Sequence, residues 1–308
     1  MNRRPTLSVT LTTYGPGLGE PAAVAQLLEQ ARMAEAAGVD RLLLTDHVVM
    51  SERTDLYPWG PFPFPPDTPW LEPLSLIAAL SAVTRRIRFS TKILIAPLRP
   101  APLLAKTLAT LDVLSNGRME IGVATGWQRE EFDASNVDWA KRGRILTDTM
   151  AACRVLWRDA PASFASESFS FDRIWCRPRP VQPEGIPIWF AGSLHARNLE
   201  RITGLGDGWI PAPYSALEPF RGDVVRVREA FARAGRDPDR LGIQGDLDAV
   251  AGADGRPDLR ASLAAVPDWA RAGATTVNVV LSLFGGAKRA EKCFAILAEE
   301  WPRQLARL

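Results

Sequence analysis

Residues 115–132 decide how the rest of the chain is interpreted, and they run Ser-Asn-Gly-Arg-Met-Glu-Ile-Gly-Val-Ala-Thr-Gly-Trp-Gln-Arg-Glu-Glu-Phe. Gly117 can adopt the positive φ that often follows the end of a helix. An apolar strand over 119–124 comes next, and it contains Gly122, which strand propensity alone would not select. A new helix is predicted to start at Gln128. The stretch therefore predicts a helix end, a buried strand and a helix start in close succession.

Three residues stand at the carboxyl end of this strand: Thr125, Gly126 and Trp127. A small residue in this place lets a flat ligand approach the backbone, and an aromatic ring can cover that ligand. The alternative is a tight strand-to-helix turn in which Trp127 packs into the core. Both interpretations stay open on the stretch alone.

Outward from this stretch, apolar runs typical of buried strands alternate with segments of helical periodicity. The predicted strands are 7–13, 40–45, 87–95, 119–124, 186–191, 207–210, 241–250 and 275–283. The predicted helices are 21–37, 74–83, 102–114, 137–157, 194–203, 219–234, 259–272 and 288–308.

Eight strand–helix units predict a (β/α)8 TIM barrel, which fits 308 residues as a single domain over 1–308. Residues 158–185 lack clear periodicity and are predicted to form an insertion, a short hairpin, between strands 4 and 5. A doubly wound open sheet is the alternative, but residues 15–19 after the first strand do not have the spacing of a dinucleotide-binding glycine motif. The sequence favours the barrel.

Composition excludes several classes of function. The net charge is +2, with 37 basic and 35 acidic residues, so no nucleic-acid or membrane partner is expected. Three scattered cysteines form no disulfide framework, and Cys153 on an apolar helix face is expected to fill the core. The apolar run after Arg3 and Arg4 is too short for an export signal or a membrane span. We expect a cytoplasmic protein.

Residues 51–73 form a loop rich in proline and aromatic side chains. Seven prolines between Tyr57 and Pro73 exclude a helix or a central strand there. Two tryptophans, two phenylalanines and a tyrosine indicate that the loop packs on something. We expect a wall of the active site, with a packed structural loop as the alternative.

In a barrel, chemistry lies where the strands end. His47 follows Asp46 at the end of the second strand and can exchange protons near neutral pH, although a structural histidine is the alternative. His195 is expected at the surface. With only two histidines and no carboxylate cluster, no metal site is predicted, and a metal-dependent hydrolase is disfavoured. Gly192 and Ser193, at the start of a helix, are expected to offer free backbone N–H groups and a hydroxyl that suit one phosphate, or to form a simple helix cap.

Several motifs together resemble the bacterial luciferase-like monooxygenase superfamily, and more narrowly its oxidoreductases that use the deazaflavin coenzyme F420. The resemblance runs from the first strand to about residue 215. The motifs are Leu-Thr-Asp-His at 44–47, Arg-Pro-Ala-Pro-Leu-Leu-Ala-Lys at 99–106, Leu-Asp-Val-Leu-Ser-Asn-Gly-Arg at 111–118, Gly-Val-Ala-Thr-Gly-Trp at 122–127, Glu-Glu-Phe at 130–132, Pro-Ile-Trp at 187–189 and Gly-Asp-Gly-Trp at 206–209.

The resemblance implies roles for residues at the ends of the second and third strands. Asp46 and His47 match a pair beside the deazaflavin ring, in which the histidine is a proposed proton donor. Lys92 and Ile93 match a non-proline cis peptide that forms a bulge against the back face of the ring. Lys92 departs from the family pattern, because small residues are usual at this bulge.

The resemblance also implies contacts after the fourth and fifth strands. Thr125 and Gly126 match residues that contact the cofactor, and Gly192 and Ser193 match a phosphate-binding turn. Trp127 becomes a candidate for the cofactor wall, opposite the bulge. It stands where sugar-phosphate dehydrogenases of this family carry a catalytic glutamate, which disfavours that activity.

The resemblance implies an oxidoreductase that transfers a hydride between F420 and a small organic substrate. A relative that uses FMN would instead be a two-component monooxygenase, supplied with reduced flavin by a partner reductase. A hypothesis of another class is a barrel that binds a ligand without catalysis. The family also implies a homodimer, and a flavin or F420 reductase is a possible partner.

Overall fold

A computed structural model describes residues 4–212 and 216–308 of the chain. Within them, nine parallel strands form one sheet and two further strands form an antiparallel hairpin. The strands are β1 (Thr6–Thr10), β2 (Arg41–Leu44), β3 (Arg88–Thr91), β4 (Leu94–Ile95), β5 (Ile121–Ala124), β6 (Ala162–Ala165), β7 (Ser170–Ile174), β8 (Ile188–Ala191), β9 (Gly208–Ile210), β10 (Gly242–Asp246) and β11 (Thr276–Val280).

The sheet closes on itself. Its strand order is β3-β2-β1-β11-β10-β9-β8-β5-β4, so it begins and ends with two strands that only Lys92 and Ile93 separate. A parallel bridge between Phe89 and Met119 also joins β3 to the chain just before β5. β3 and β4 thus share one of eight positions around the ring, and the predicted (β/α)8 barrel is confirmed. The predicted continuous strand over 87–95 is wrong, because it is interrupted at Lys92.

Helices follow the strands and cover the outside of the ring. They are α1 (Pro21–Ala36), α2 (Pro73–Ala82), α3 (Ala101–Ser115), α4 (Arg129–Ala134), α5 (Arg142–Arg158), α6 (Ala196–Leu205), α7 (Leu217–Arg233), α8 (Leu259–Leu263), α9 (Val266–Arg271) and α10 (Ala290–Leu305). No helix in the described ranges is long and apolar enough to cross a membrane.

Two predicted helices are wrong in extent. The helix expected over 137–157 begins at Arg142, because Asp138 accepts a hydrogen bond from the N–H of Ala140 and caps a separate 3₁₀ turn. The helix expected over 259–272 is divided into α8 and α9, because Pro267 has no N–H with which to continue the first helix. The strand expected over 241–250 ends at Asp246.

The predicted insertion is confirmed as the hairpin β6–β7, between the fourth and fifth barrel positions. Buried Asp112 on α3 attaches the end of this segment to the barrel. Its carboxylate accepts hydrogen bonds from the N–H of Val181 at 2.7 Å and the N–H of Gln182 at 3.1 Å. Buried Cys153 on α5 fills the core, as predicted.

Gly122 is explained by the closeness of two strands. A Cβ at this position would lie 2.2 Å from the carbonyl oxygen of Thr91 and 2.8 Å from Cδ1 of Ile210. The Thr91 hydroxyl also donates to the Gly122 carbonyl at 2.7 Å. The glycine is therefore required by contact between β3 and β5.

The amino-terminal end of the barrel contains a buried ionic cluster. Glu120 forms ion pairs with Arg41, at 2.8 Å, and with Arg88. The guanidinium of Arg41 also stacks on the ring of Trp189, 4.6 Å from its centroid. Burial by itself raises the pKa of Glu120, but the charges of the two arginines outweigh burial and hold the pKa below its ordinary value.

We expect this cluster to make the fold sensitive to acid. A carboxyl whose pKa is lowered on folding stabilises the protein above its unfolded pKa, near 4.5, and that contribution is lost as pH falls through the lower folded pKa. Glu120→Gln should therefore lose less stability than the wild type when urea unfolding is measured from pH 6 down to about pH 3. Glu29→Gln, at an exposed ion pair, is the matched control and should follow the wild type. Parallel curves for Glu120→Gln and the wild type would contradict the assignment.

Candidate active site

The proline-rich loop covers the carboxyl end of the barrel. The N–H of Gly15 donates to the Pro69 carbonyl and the N–H of Leu71 donates to the Thr13 carbonyl, so the loop pairs with the chain that follows β1. The rings of Tyr14 and Trp70 stack with centroids 4.3 Å apart. The loop is packed, and its side chains Phe62 and Trp70 contact the ring of His47.

His47 lies inside an aromatic cluster. Its ring centroid is 4.8 Å from Trp70, 5.7 Å from Trp127 and 6.4 Å from Phe62, in each case edge to face. Tyr57 completes the cluster at 5.2 Å from Trp127. Burial, followed by the nearby Tyr14, raises the pKa of Tyr57, so its phenol stays protonated at neutral pH.

A buried carboxylate orients His47. Oε2 of Glu131 lies 3.1 Å from Nδ1 of His47, and Oε1 accepts the N–H of Val48 at 2.8 Å. The Glu131 side chain is 0% exposed, whereas that of His47 retains 10%. An ionised Glu131 selects the tautomer with the proton on Nδ1, which leaves Nε2 for proton exchange with a ligand.

The residue before α4 holds the same loop. The Gln128 amide accepts the N–H of Ser51 at 2.9 Å and donates to the Val49 carbonyl at 3.0 Å. Gln128 is buried. Together with Glu131, it ties the chain that follows His47 to the segment that follows β5, so two distant parts of the sequence form one site.

Asp46 makes its hydrogen bonds within the protein. Its carboxylate accepts hydrogen bonds from both terminal nitrogens of Arg99, at 2.8 and 2.9 Å, and from the N–H of Ile95 at 2.9 Å. Arg99 also reaches Glu72 at 3.0 Å. The Asp46 side chain is 0% exposed, so it holds β4 and its surroundings in position. The predicted contact of Asp46 with a cofactor stays a prediction.

The peptide bond between Lys92 and Ile93 is cis, as the resemblance implied. β4, which follows the bond, pairs with β5, Leu94 with Val123 and Ile95 with Ala124. The expected placement of the bond and residues 125–127 on opposite sides of a cofactor stays a prediction. Gly126 has φ +73°, and a Cβ there would lie 2.9 Å from Cγ2 of Ile95. Thr125 and Trp127 are half-buried at the same edge. Contact of these residues with a cofactor stays a prediction.

The predicted phosphate turn is placed differently from the expectation. α6 begins at Ala196, and exposed His195 caps it by accepting the N–H of Asn198. Gly192 has φ +109°, but its N–H donates to the Ile210 carbonyl at 2.9 Å, so it is not the free donor that was expected. The Ser193 carbonyl accepts the Asn198 amide at 3.1 Å. Binding of a phosphate at this turn stays a prediction.

Two cavities lie near the carboxyl ends of the strands. One, of about 180 Å³, is lined by His47, Val48 and Met50 and, across from them, by Phe62 and Trp70 of the loop. The other, of about 300 Å³, lies between the first turns of α5 and α6. It is lined by Gly143, Arg144, Thr147, Asp148, Arg197, Glu200 and Arg201.

The second cavity has a small excess of positive charge, because three arginines and the two carboxylates of Asp148 and Glu200 line it, and we call it the basic cavity. Arg201 is buried and donates to the Thr147 hydroxyl at 2.8 Å and the Gly143 carbonyl at 2.7 Å. Burial, and then the charge of Arg197, lower the pKa of Arg201. Among the described residues, neither of these arginines forms an ion pair with a carboxylate. The cavity suits an anionic group.

Sequence reasoning missed Glu131, Gln128 and Arg99. Glu131 had a signal, since it lies in the Glu-Glu-Phe motif, four residues after Trp127, but chain order alone does not reveal its partner. Within the described ranges, no group of three or more potential ligands could hold a metal ion. Proton exchange by an oriented histidine is what this arrangement can perform.

A closed barrel with an oriented histidine in an aromatic cavity at the strand ends has the form of a barrel enzyme. A family model for luciferase-like monooxygenases matches residues 6–281. The chain belongs to that family, whose members are oxidoreductases.

Among similar proteins and solved structures, the printed names include both FMN-dependent and F420-dependent enzymes. The chain is 32% identical over 287 residues to an uncharacterized protein of Mycobacterium tuberculosis, covering 90% of this chain and 92% of that one. It is 28% identical to an FMNH2-dependent dimethylsulfone monooxygenase of Pseudomonas fluorescens, covering 65% of this chain and 53% of that one. An F420-dependent secondary alcohol dehydrogenase solved with an F420–acetone adduct superposes with a TM-score of 0.74 at 16% identity, covering 94% of this chain and 97% of that one.

Proposed function

We propose that the protein is an F420-dependent oxidoreductase that transfers a hydride between the deazaflavin ring and a small organic substrate. The observation that carries the proposal is the His47–Glu131 pair, held inside an aromatic cavity at the strand ends. The cavity places the oriented His47 among aromatic and aliphatic side chains, with Asp67 and Thr68 also on its lining, which suits a small organic substrate.

The residues present fit such a coenzyme. Gly126, just after β5, leaves the backbone open where a Cβ would meet Ile95. The basic cavity at Arg197 and Arg201 suits the anionic end of the coenzyme, which carries phosphate and carboxylate groups. The coenzyme has a planar ring at one end and negative charge at the other. The aromatic cavity at His47 suits the ring, and the cavity at Arg197 and Arg201 suits the negative charge.

A bound deazaflavin would supply hydride-transfer chemistry, because its reactive position is a carbon. His47 would exchange the accompanying proton with the substrate oxygen through Nε2, while Glu131 holds the imidazole and stabilises its charged form. Phe62, Trp70 and Trp127 would exclude water from His47 and orient the apolar part of the substrate.

The second candidate is a monooxygenase that uses reduced FMN and oxygen, with a partner flavin reductase. The similarity to an FMNH2-dependent dimethylsulfone monooxygenase favours it. The same basic cavity suits the phosphate of FMN, and the same aromatic wall suits an isoalloxazine ring.

Titration of the purified protein with each coenzyme tests the choice between the candidates. We expect saturable quenching of F420 fluorescence at micromolar concentration and weaker binding of FMN. Arg197→Gln should weaken the binding of F420 about tenfold, since it removes a charge-assisted contact from the basic cavity. Arg233→Gln, at an exposed ion pair on α7, is the matched control. Tight FMN binding without an F420 response would overturn the first candidate and support the second.

A further inference from the structure

The aromatic cavity at His47 contains one carboxylate, that of Asp67. Of the described residues that line this cavity, none is a lysine or an arginine. Asp67 lies in the proline-rich loop and is exposed. Within the described part of the chain, its carboxylate forms no hydrogen bond and no ion pair. The charge of Asp67 is therefore available to a ligand in the cavity.

Other charged groups of the same loop are already paired. Asp55 forms an ion pair with Arg53 at 2.9 Å. Glu72, at the end of the loop, caps α2 and pairs with Arg99 at 3.0 Å. Arg99 is in turn held by Asp46 at 2.8 Å, so its charge is neutralised within the protein. These arginines do not compensate the charge of Asp67.

The chain around the cavity is negatively charged. Residues 47–73 contain four carboxylates and one arginine. The buried carboxylate of Glu131 lies behind His47. When His47 is neutral, its pair with an ionised Glu131 carries one negative charge, and when His47 is protonated, the pair carries no net charge. With Asp67 added, the cavity attracts a cation in either protonation state of His47.

Aromatic rings and apolar side chains form the rest of the cavity. Phe62 and Trp70 line it, and their ring centroids lie 6.4 and 4.8 Å from that of His47. Val48 and Val49 also line it and are 48% and 44% exposed, so apolar surface is open to a ligand. Aromatic rings beside a carboxylate suit an organic ammonium ion, because the face of an aromatic ring attracts a cation.

We propose that the cavity selects a small alcohol or carbonyl compound that carries an ammonium group, with Asp67 as the specificity-determining residue. The inference rests on the proposed function, in which His47 exchanges a proton with the substrate oxygen. Asp67, Phe62 and Trp70 bind the ammonium group, and the oxygen is directed towards Nε2 of His47. The alcohol gives its C–H hydrogen as a hydride to the deazaflavin and its O–H proton to His47, and it becomes a carbonyl compound.

The test is equilibrium binding of choline and of 3,3-dimethylbutan-1-ol to the full-length protein without coenzyme, followed through the methyl signals of each probe by ligand-observed NMR. The two probes share their shape and their hydroxyl group, but only choline is positively charged. We expect the wild type to bind choline about tenfold more tightly, since the carboxylate and the aromatic rings both favour the cation.

Variants assign this preference to named side chains. Asp67→Asn keeps the shape and removes the charge, and it should reduce the preference for choline about fivefold, a moderate effect because water screens an exposed carboxylate. Asp67→Glu should retain the preference. Phe62→Leu removes the ring and should reduce it about threefold. Glu52→Gln is the matched control, since Glu52 lies in the same loop but does not line the cavity, and it should behave as the wild type.

The outcomes separate the inference from the proposed function. Equal binding of the two probes by the wild type, or an unchanged preference in Asp67→Asn, would overturn the inference. If Asp67→Asn does not fold, as judged by circular dichroism, the wild type at low salt and at about 1 M salt decides, because screening should reduce a preference that depends on charge. A protein that prefers choline but binds neither F420 nor FMN would overturn the proposed function, and the cation site would stand.

Discussion

Replacing His47 with alanine is expected to lower turnover by about 10²–10⁴-fold, the range in which a positioned general acid or base contributes. His47 is the histidine in the aromatic cavity, and buried Glu131 orients it from 3.1 Å. The affinity for the coenzyme should change far less than the rate, because the loss falls on proton exchange. Steady-state kinetics with reduced coenzyme and a panel of unsaturated substrates, together with coenzyme titration, measure both quantities.

A matched pair of carboxylates provides the control. Glu131→Gln keeps the shape of the side chain but removes the negative charge beside Nδ1 of His47, so it should lower turnover. Glu130→Gln changes the neighbouring carboxylate, for which no contact with His47 is seen in the described residues, and should behave as the wild type. A wild-type protein that binds ligands but turns over no substrate in the panel would favour the non-catalytic barrel, and His47→Ala would then retain the same affinity.

Replacing Gly122 with alanine is expected to lower the free energy of unfolding by about 3 kcal/mol or more. The new Cβ would lie 2.2 Å from the Thr91 carbonyl oxygen, which belongs to the backbone and cannot rotate away as a side chain can. The barrel would relax only if β3 and β5 separated, and the hydrogen bond from the Thr91 hydroxyl to the Gly122 carbonyl would then lengthen. Urea unfolding followed by circular dichroism measures the effect.

Gly222→Ala is the control for this prediction. Gly222 lies in α7, and a Cβ there meets no atom within 4 Å. Alanine should stabilise the helix by about 0.5–1 kcal/mol, since it restricts the unfolded chain and favours the helix. If Gly122→Ala cost less than about 1 kcal/mol in the same experiment, the strands would be able to separate easily and the packing argument would fail.

Local sequence patterns predict the order and type of most helices and strands. Helical periodicity ending at Gly38 predicts α1 to within one residue, and the alternation of apolar strands with helices predicts the eightfold barrel. Where local chemistry competed with periodicity, the pattern failed: Asp138 caps a separate turn before α5, and Pro267 divides α8 from α9. These errors concern the ends of helices, because a single capping residue or proline determines where a helix begins or ends.

The sequence predicts where the site lies in the barrel, but it does not predict which of the site's residues contact each other. The positions of His47 and of Thr125, Gly126 and Trp127 at strand ends follow from the barrel pattern. The partner of His47, however, is Glu131, 84 residues further along the chain. The expected free N–H of Gly192 is engaged by Ile210, which no local pattern reports.

The sequence by itself therefore determined the fold, the face that carries the site and the residues nearest to strand ends, because these depend on periodicities of two to four residues. Only the tertiary structure decided which groups touch. Lys92 meets Asp246 over 154 residues of chain, and Gly122 is required by a carbonyl on another strand. Ring closure brings such groups together, and contacts that depend on closure leave no trace in local periodicity.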